Sequence, residues 1–376
     1  MTQSVAPPSF WDRHSQPSSL SRWDTWNEII AQPDVWRAQA QACDVATLQA
    51  WIAAQRVEEI WFCGSGTSAY IGDIVVAGLE DQRTMPRLRS VPATDLVARP
   101  SAFVTGRRPL VVNFGRSGNS AETLGTLDAL DALAPTAPRL NITCNQQSQL
   151  AQRTRAQDQV VILPEAAHDR GFAMTSSFSS MLLTALMLFD PAAKPDRLTN
   201  AADRLEAVMP SVEAAVGSVP ERVAFVGTGP LAFAAREAAL KVMELSAGRI
   251  PCVWDSILGF RHGPKSFVNA DTRVVVLTGY DNAHSAYEAD LVAELREQFP
   301  DTALTVIGPG GDIDIQHPDG PHWSVPHAVL FAQVASVHWA QALGLNVDDP
   351  FVGQGTLTRV VADVRLYDVP AGEVPV

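Results

Sequence analysis

Apolar residues along this chain fall into short runs separated by turns or helix-like stretches. In the first half the runs are EEIWFCG, PRLRSV, RPLVVNF, PRLNITC and QVVILP. Each is rich in Val, Ile, Leu or Phe and apolar at nearly every position, which suits parallel strands covered on both faces. The alternation restarts with ERVAFVG, RIPCVW, TRVVVLTG and ALTVIG and ends in a helix-like AVLFAQVASVHWAQALGL. Alternating strands and helices predict an α/β fold with doubly wound, flavodoxin-like parallel sheets flanked by helices. Ahead of the first run, the segment from Trp23 carries apolar residues at helical spacing broken at Pro33, which predicts two helices.

The two halves read as an internal duplication. EEIWFCGSGTSAY parallels ERVAFVGTGPLAF, and RPLVVNFGRSGNSAE parallels TRVVVLTGYDNAHSA, at an offset of about 160 residues. From 190 to 222 the chain passes DPAAKPDRL, a helical stretch and then SVP, which reads as a linker region. The expected organisation is a flexible arm over 1–22, N-terminal helices and a first domain over 23–205, and a second domain with a C-terminal tail over 206–376.

Composition narrows the function. The chain has 376 residues, 46% hydrophobic and 18% charged, enough to bury a sizeable core. A net charge of −13 argues against nucleic acid or an anionic membrane as partner, so an anionic ligand must be met by local donors. Four dispersed cysteines with no CxxC pair suggest neither a zinc ribbon nor a disulfide framework and fit a reducing, cytoplasmic location. The N-terminal residues do not read as a signal peptide. The longest apolar stretch, MLLTALMLF, is about half a bilayer span and reads as a buried helix.

Four places could carry chemistry. FCGSGTSAYIG runs from a strand through Ser65, Thr67 and Ser68 into a helix, a turn whose donors suit a phosphate or sugar oxygen or serve only as a strand-to-helix connection. It lacks the dinucleotide fingerprint. VVNFGRSGNSAETL offers a second such turn in which Ser117, Asn119 and Ser120 supply donors, Gly118 admits close approach and Arg116 adds positive charge. Ser120 also suits ordinary helix capping. Thr175 opens the most apolar helix, as a cap, a ligand contact or both. In REAALKVMELSAG, residues Glu237, Lys241 and Glu244 share one helix face, a spacing that most often gives a solvated ion-pair ladder. Downstream, RHGP holds His262 in a polar turn, and a histidine there suits proton transfer to a ring oxygen. His317, His322 and His327 match no usual zinc spacing and read as loop and strand edge.

On these residues the chain resembles the SIS (sugar isomerase) family. FGRSGNSAET looks like its phosphate loop, and EAALKVMEL followed by RHGP resembles the isomerase half of glucosamine-6-phosphate synthase. TWNEIIAQPDVWR, FCGSGTSAYIG, RSGNSAE, FAMTSSFSSM and WDSILGFRHGPKSF together resemble the AgaS group of tagatose-6-phosphate ketose/aldose isomerases and galactosamine-6-phosphate deaminases. The resemblance implies two tandem SIS domains, with Glu244 as the proton shuttle, Lys241 one turn before it, and His262 as the ring-opening group donated by a neighbouring subunit of a homodimer. It further implies that Ser65, Thr67 and Ser68 line the sugar, that Arg116, Ser117 and Ser120 hold the phosphate, and that Thr175 contacts the ligand. Where synthase-type relatives carry a lysine in the C-terminal tail, this chain offers Arg359.

The expected activity is conversion of galactosamine 6-phosphate to tagatose 6-phosphate and ammonia, with no metal or organic cofactor. The rivals are a ketose/aldose isomerase that releases no ammonia, a glucosamine-6-phosphate deaminase, and a non-catalytic sugar-phosphate-sensing regulator. A glutamine-dependent synthase is not expected, since no glutaminase segment or initial cysteine is seen.

Overall fold

A computed structural model describes residues 19–80, 86–104, 108–279, 283–354 and 364–369. Arg359 and most of the expected N-terminal arm lie outside these residues.

The first sheet contains β1 (Glu59–Cys63), β2 (Arg87–Ser90), β3 (Leu110–Gly115), β4 (Arg139–Thr143) and β5 (Gln159–Ile162), ordered β2-β1-β3-β4-β5. The second contains β6 (Arg222–Gly227), β7 (Cys252–Ser256), β8 (Thr272–Leu277), β9 (Ala303–Gly308) and β10 (Ile313–Asp314), ordered β10-β9-β8-β6-β7. All the pairings are parallel. Renumbered within its own half, the second sheet repeats the order 2-1-3-4-5 of the first. Every residue of β1, β3 and β4 is buried, the outcome expected of strands sandwiched between helix layers. The nine runs read as strands all form strands; the two-residue β10 lies in a polar stretch too short to show a period.

The turns repeat as well as the sheets. Gly66, before helix α3 (Thr67–Leu79), adopts φ 55° and ψ −130°. Gly229, before α9 (Pro230–Leu245), adopts φ 55° and ψ −125°. Both are positions where a side chain would be strained, so two separate strand-to-helix turns use one glycine-dependent conformation.

Two helices precede β1, as expected, but the break is elsewhere. Helix α1 runs unbroken over Asp24–Ala42 with Pro33 inside it, and α2 spans Val45–Ala54 after a break at Cys43 and Asp44. A proline within a helix leaves the carbonyl four residues earlier without its donor, here Ile29. The side-chain amide of Gln32 donates to that carbonyl at 3.1 Å, which removes much of the reason to break.

The remaining helices are α4 (Ala93–Ala98), α5 (Ala121–Leu133), α6 (Gln149–Gln152), α7 (Ser176–Phe189), α8 (Arg197–Ala214), α10 (Ala283–Gln298) and α11 (Val325–Ala342). Helix α7, which holds the longest apolar stretch, is buried at every position, and no helix among the described residues is long and apolar enough to cross a membrane. The expected division between residues 205 and 206 falls within α8, which packs on both α1 and α11. One continuous apolar core runs from Leu20 to Val347 through both halves, with smaller clusters on the outer face of each sheet.

Candidate active site

Helix α9 of the second half packs against α3 of the first, and this contact brings two motifs together. Glu237 and Lys241 have no exposure, and the Glu244 side chain is only 17% exposed, so the three are not a solvated ladder. The Lys241 ammonium lies 2.6 Å from Glu244 Oε2 and 3.4 Å from Glu237 Oε1, and it donates to Thr67 Oγ1 at 3.1 Å. Thr67 in turn donates to the Glu237 carboxylate at 3.0 and 3.2 Å. Burial pushes Glu237 up to about 7, with Lys241 pulling the other way. Burial alone would lower Lys241, but Glu237 and Glu244 outweigh it and hold the ammonium above its ordinary value.

Strands β1 and β3 are neighbours in a parallel sheet, so the turns following them lie at the same end, where the winding of the sheet reverses. Among the described residues the Ser65 hydroxyl, in the first turn, is buried without a hydrogen-bond partner, and the Ser68 hydroxyl reaches only the Met174 sulfur, at 4.0 Å.

In the second turn, Gly118 has φ 63°, and a Cβ there would come within 2.5 Å of the Ser148 hydroxyl, so the turn needs glycine. Arg116 donates to Gly171 O at 3.4 Å and has no carboxylate within ion-pair distance among the described residues. The Ser117 hydroxyl makes only a 3.4 Å contact with the backbone of Asn119. Asn119 and Ser120 have architectural work: Asn119 Oδ1 accepts from Gln149 N at 2.8 Å, and Ser120 caps α5 through Thr123 N.

Thr175 is fully buried and its hydroxyl donates to Asp169 at 2.8 Å. Asp169 also accepts the backbone N–H groups of Thr175, Ser176 and Ser177 and the hydroxyl of Ser177, so it caps α7 from outside the helix. Sequence reasoning passed over Asp169; the only signal was an acid six residues before a run of hydroxyls. It also passed over Glu28 of α1, which accepts the backbone N–H groups of Arg170 and Gly171, has a buried Oε2 without a partner, and is pushed up to about 7 by burial and then by Asp169.

His262 stands apart. It is exposed at the end of a 3-10 turn, Gly259–His262, and bonds to nothing among the described residues. The three histidines of HPDGPHWSVPH point to separate partners: His317 to Thr278 O, His322 to Asp190 and His327 to Ala201 O.

The arrangement is a polar cluster between two parallel α/β sheets, beside two donor-rich turns at a switch point, and it defines a SIS-type sugar-phosphate protein. The SIS domain profile matches residues 55–190. The D-galactosamine-6-phosphate deaminase AgaS of Shewanella sp. (strain ANA-3) is 34% identical over 91% of this chain and 91% of its own length. The protein of the same name from Escherichia coli O157:H7 is 35% identical, over 91% and 96%. The crystal structure of tagatose-6-phosphate ketose/aldose isomerase from Escherichia coli aligns with a TM-score of 0.81 and 32% identity, covering 89% of this chain and 97% of that one. The chain belongs to the AgaS family of SIS-domain enzymes.

Proposed function

We propose that the enzyme converts D-galactosamine 6-phosphate to D-tagatose 6-phosphate and ammonia. The observation that carries the reading is the fully buried Lys241, which bridges the Glu244 carboxylate of one half and the Thr67 hydroxyl of the other. The names of the relatives supply the substrate.

The phosphate is gripped by Arg116 and Ser117, the free donors of the second turn, and Ser65 meets a sugar oxygen. His262 opens the ring. Glu244 takes the proton from C2 of the open-chain aldehyde, the electron pair forms the C1–C2 double bond, and the carbonyl oxygen O1 takes a proton from solvent, giving an enolamine. Return of the C2 proton to C1 yields a hydroxymethyl group at C1 and an iminium at C2, which gives a proton from nitrogen back to solvent as the imine. Water adds to the imine and ammonia departs, leaving the ketone. No metal or organic cofactor enters.

Both halves are read as SIS domains, 23–205 and 206–376, in a cytoplasmic homodimer. Trp254 on the edge strand β7, Met243 on α9 and Leu258 beyond β7 are 38%, 45% and 48% exposed, large apolar side chains in the half that carries His262, and in the proposed dimer a second copy covers them. In this reading His262 acts in the partner's site.

Glu244→Gln is expected to lower turnover by roughly 10² to 10⁴ fold while inorganic phosphate still competes with substrate; near-normal turnover would refute the base assignment. A second reading, a ketose/aldose isomerase without ammonia release, is favoured by the name of the E. coli structure. Measuring ammonia from galactosamine, glucosamine and tagatose 6-phosphates separates the readings: release from galactosamine 6-phosphate alone supports the first.

A further inference from the structure

Glu237 has no role in the chemistry set out above, yet it is the most deeply placed acid of the cluster, with no exposure. The hydrogen bonds around it can run in only one sense. A protonated lysine has no lone pair, so the contact at 3.1 Å is Lys241 donating to Thr67 Oγ1. The single hydrogen of Thr67 must then go to the Glu237 carboxylate, which lies 3.0 and 3.2 Å away. Glu237 thereby fixes the rotation of the Thr67 hydroxyl, and the fixed hydroxyl and Glu237 Oε1, 3.4 Å from the ammonium, hold Lys241 from two sides. The third hydrogen of that ammonium reaches Glu244 Oε2 at 2.6 Å.

We infer that Glu237 is a positioning residue that acts through Lys241, using its charge to keep the ammonium protonated and aimed at Glu244, so that the base is presented to substrate in one orientation. The inference rests on Glu244 being the base. It explains why a carboxylate is kept where burial costs it most: the negative charge stabilises an ammonium that has no water to stabilise it. The charged groups facing Glu237 are Lys241 and Glu244 on its own helix, and Thr67 is the polar group facing it from α3. The neighbouring Arg236 pairs with Asp73 of α3 at 2.9 Å.

The test is Glu237→Gln, which keeps size and hydrogen-bonding atoms but removes the charge, assayed with galactosamine 6-phosphate for ammonia release. The expected result is a fall in kcat of about 10 to 100 fold with KM changed less than about threefold, since the phosphate grip is untouched. The alkaline limb of kcat is also expected to move down by about one pH unit, because Lys241 loses one of the two carboxylates that hold it protonated. A merely structural role would not move that limb. Wild-type kcat and pH profile in Glu237→Gln, with a folded protein by circular dichroism, overturn the inference.

Should that variant not fold, Thr67→Val and Thr67→Ser cut and keep the same relay from the other side. A kcat loss in the valine variant that the serine variant restores supports the inference, and equal kcat in the two overturns it. Glu244→Gln separates the levels: if it turns over normally, the base assignment itself has failed. If it is inactive while Glu237→Gln behaves as wild type, only the role of Glu237 falls.

Discussion

A lysine spaced between two glutamates on one helix is ordinarily a surface feature, and the residues of α9 carry no sign that theirs is not. What buries Lys241 is α3 lying across that face, a contact between residues more than 160 positions apart in the chain. Spacing therefore revealed that the three side chains are neighbours, and left their solvent exposure to the tertiary packing. The same holds for Glu28, whose carboxylate is pushed up to about 7 because it is buried against the Arg170–Gly171 backbone and Asp169 lies near. A carboxyl raised above its unfolded value favours the folded state while it is protonated, and that support is lost as pH rises from about 4.5 through about 7. Replacing Glu28 by Gln removes the titration. The melting temperature of Glu28→Gln relative to wild type is therefore expected to climb as pH is raised from 5 to 8, whatever fixed offset the amide introduces. A difference independent of pH would place the Glu28 titration outside this range.

At the scale of elements, nine strands and the buried α7 were legible because an apolar run covered on both faces leaves its pattern in the sequence itself. Helix α1 was not, since its continuity depends on one side chain. Gln32 donates to the carbonyl that Pro33 orphans and to Gln333 Oε1 at 2.9 Å, while its own oxygen accepts from Ser179 at 2.7 Å. Gln32 is 1% exposed, so Gln32→Leu leaves the Ile29 carbonyl and Gln333 Oε1 without the donor they share and is expected to destabilise the protein by about 1–3 kcal/mol in urea denaturation. If Pro33 were tolerated for some other reason, the loss would be confined to a few tenths of a kcal/mol. The candidate turns show a similar division. Capping by Ser120 was legible in the sequence and is what α5 shows, whereas the bond from Gln149 N to Asn119 Oδ1 at the start of α6 joins residues 30 positions apart and had no local signal.

At the scale of the whole molecule, the repeated 2-1-3-4-5 order and the matched Gly66 and Gly229 turns give structural substance to a duplication that the sequence shows only in short parallels. The boundary at 205 falls inside the helical stretch expected before SVP, because α8 packs on α1 of one half and α11 of the other and so belongs to both. His262 is exposed on the second half and bonds to nothing among the described residues, and Trp254 and Leu258 of the same half are exposed as well. If it completes the partner's site, two dead enzymes can repair each other. Glu244→Gln keeps His262, and His262→Ala keeps Glu244, so a mixed dimer contains one site with both wild-type groups and one with neither. Random reassociation makes half the dimers mixed, and about a quarter of all sites regain both groups. Mixing the two inactive variants after mild dissociation is therefore expected to restore about a quarter of wild-type ammonia release. If His262 served the Glu244 of its own chain, every site would lack one group, and the mixture would stay as inactive as its components.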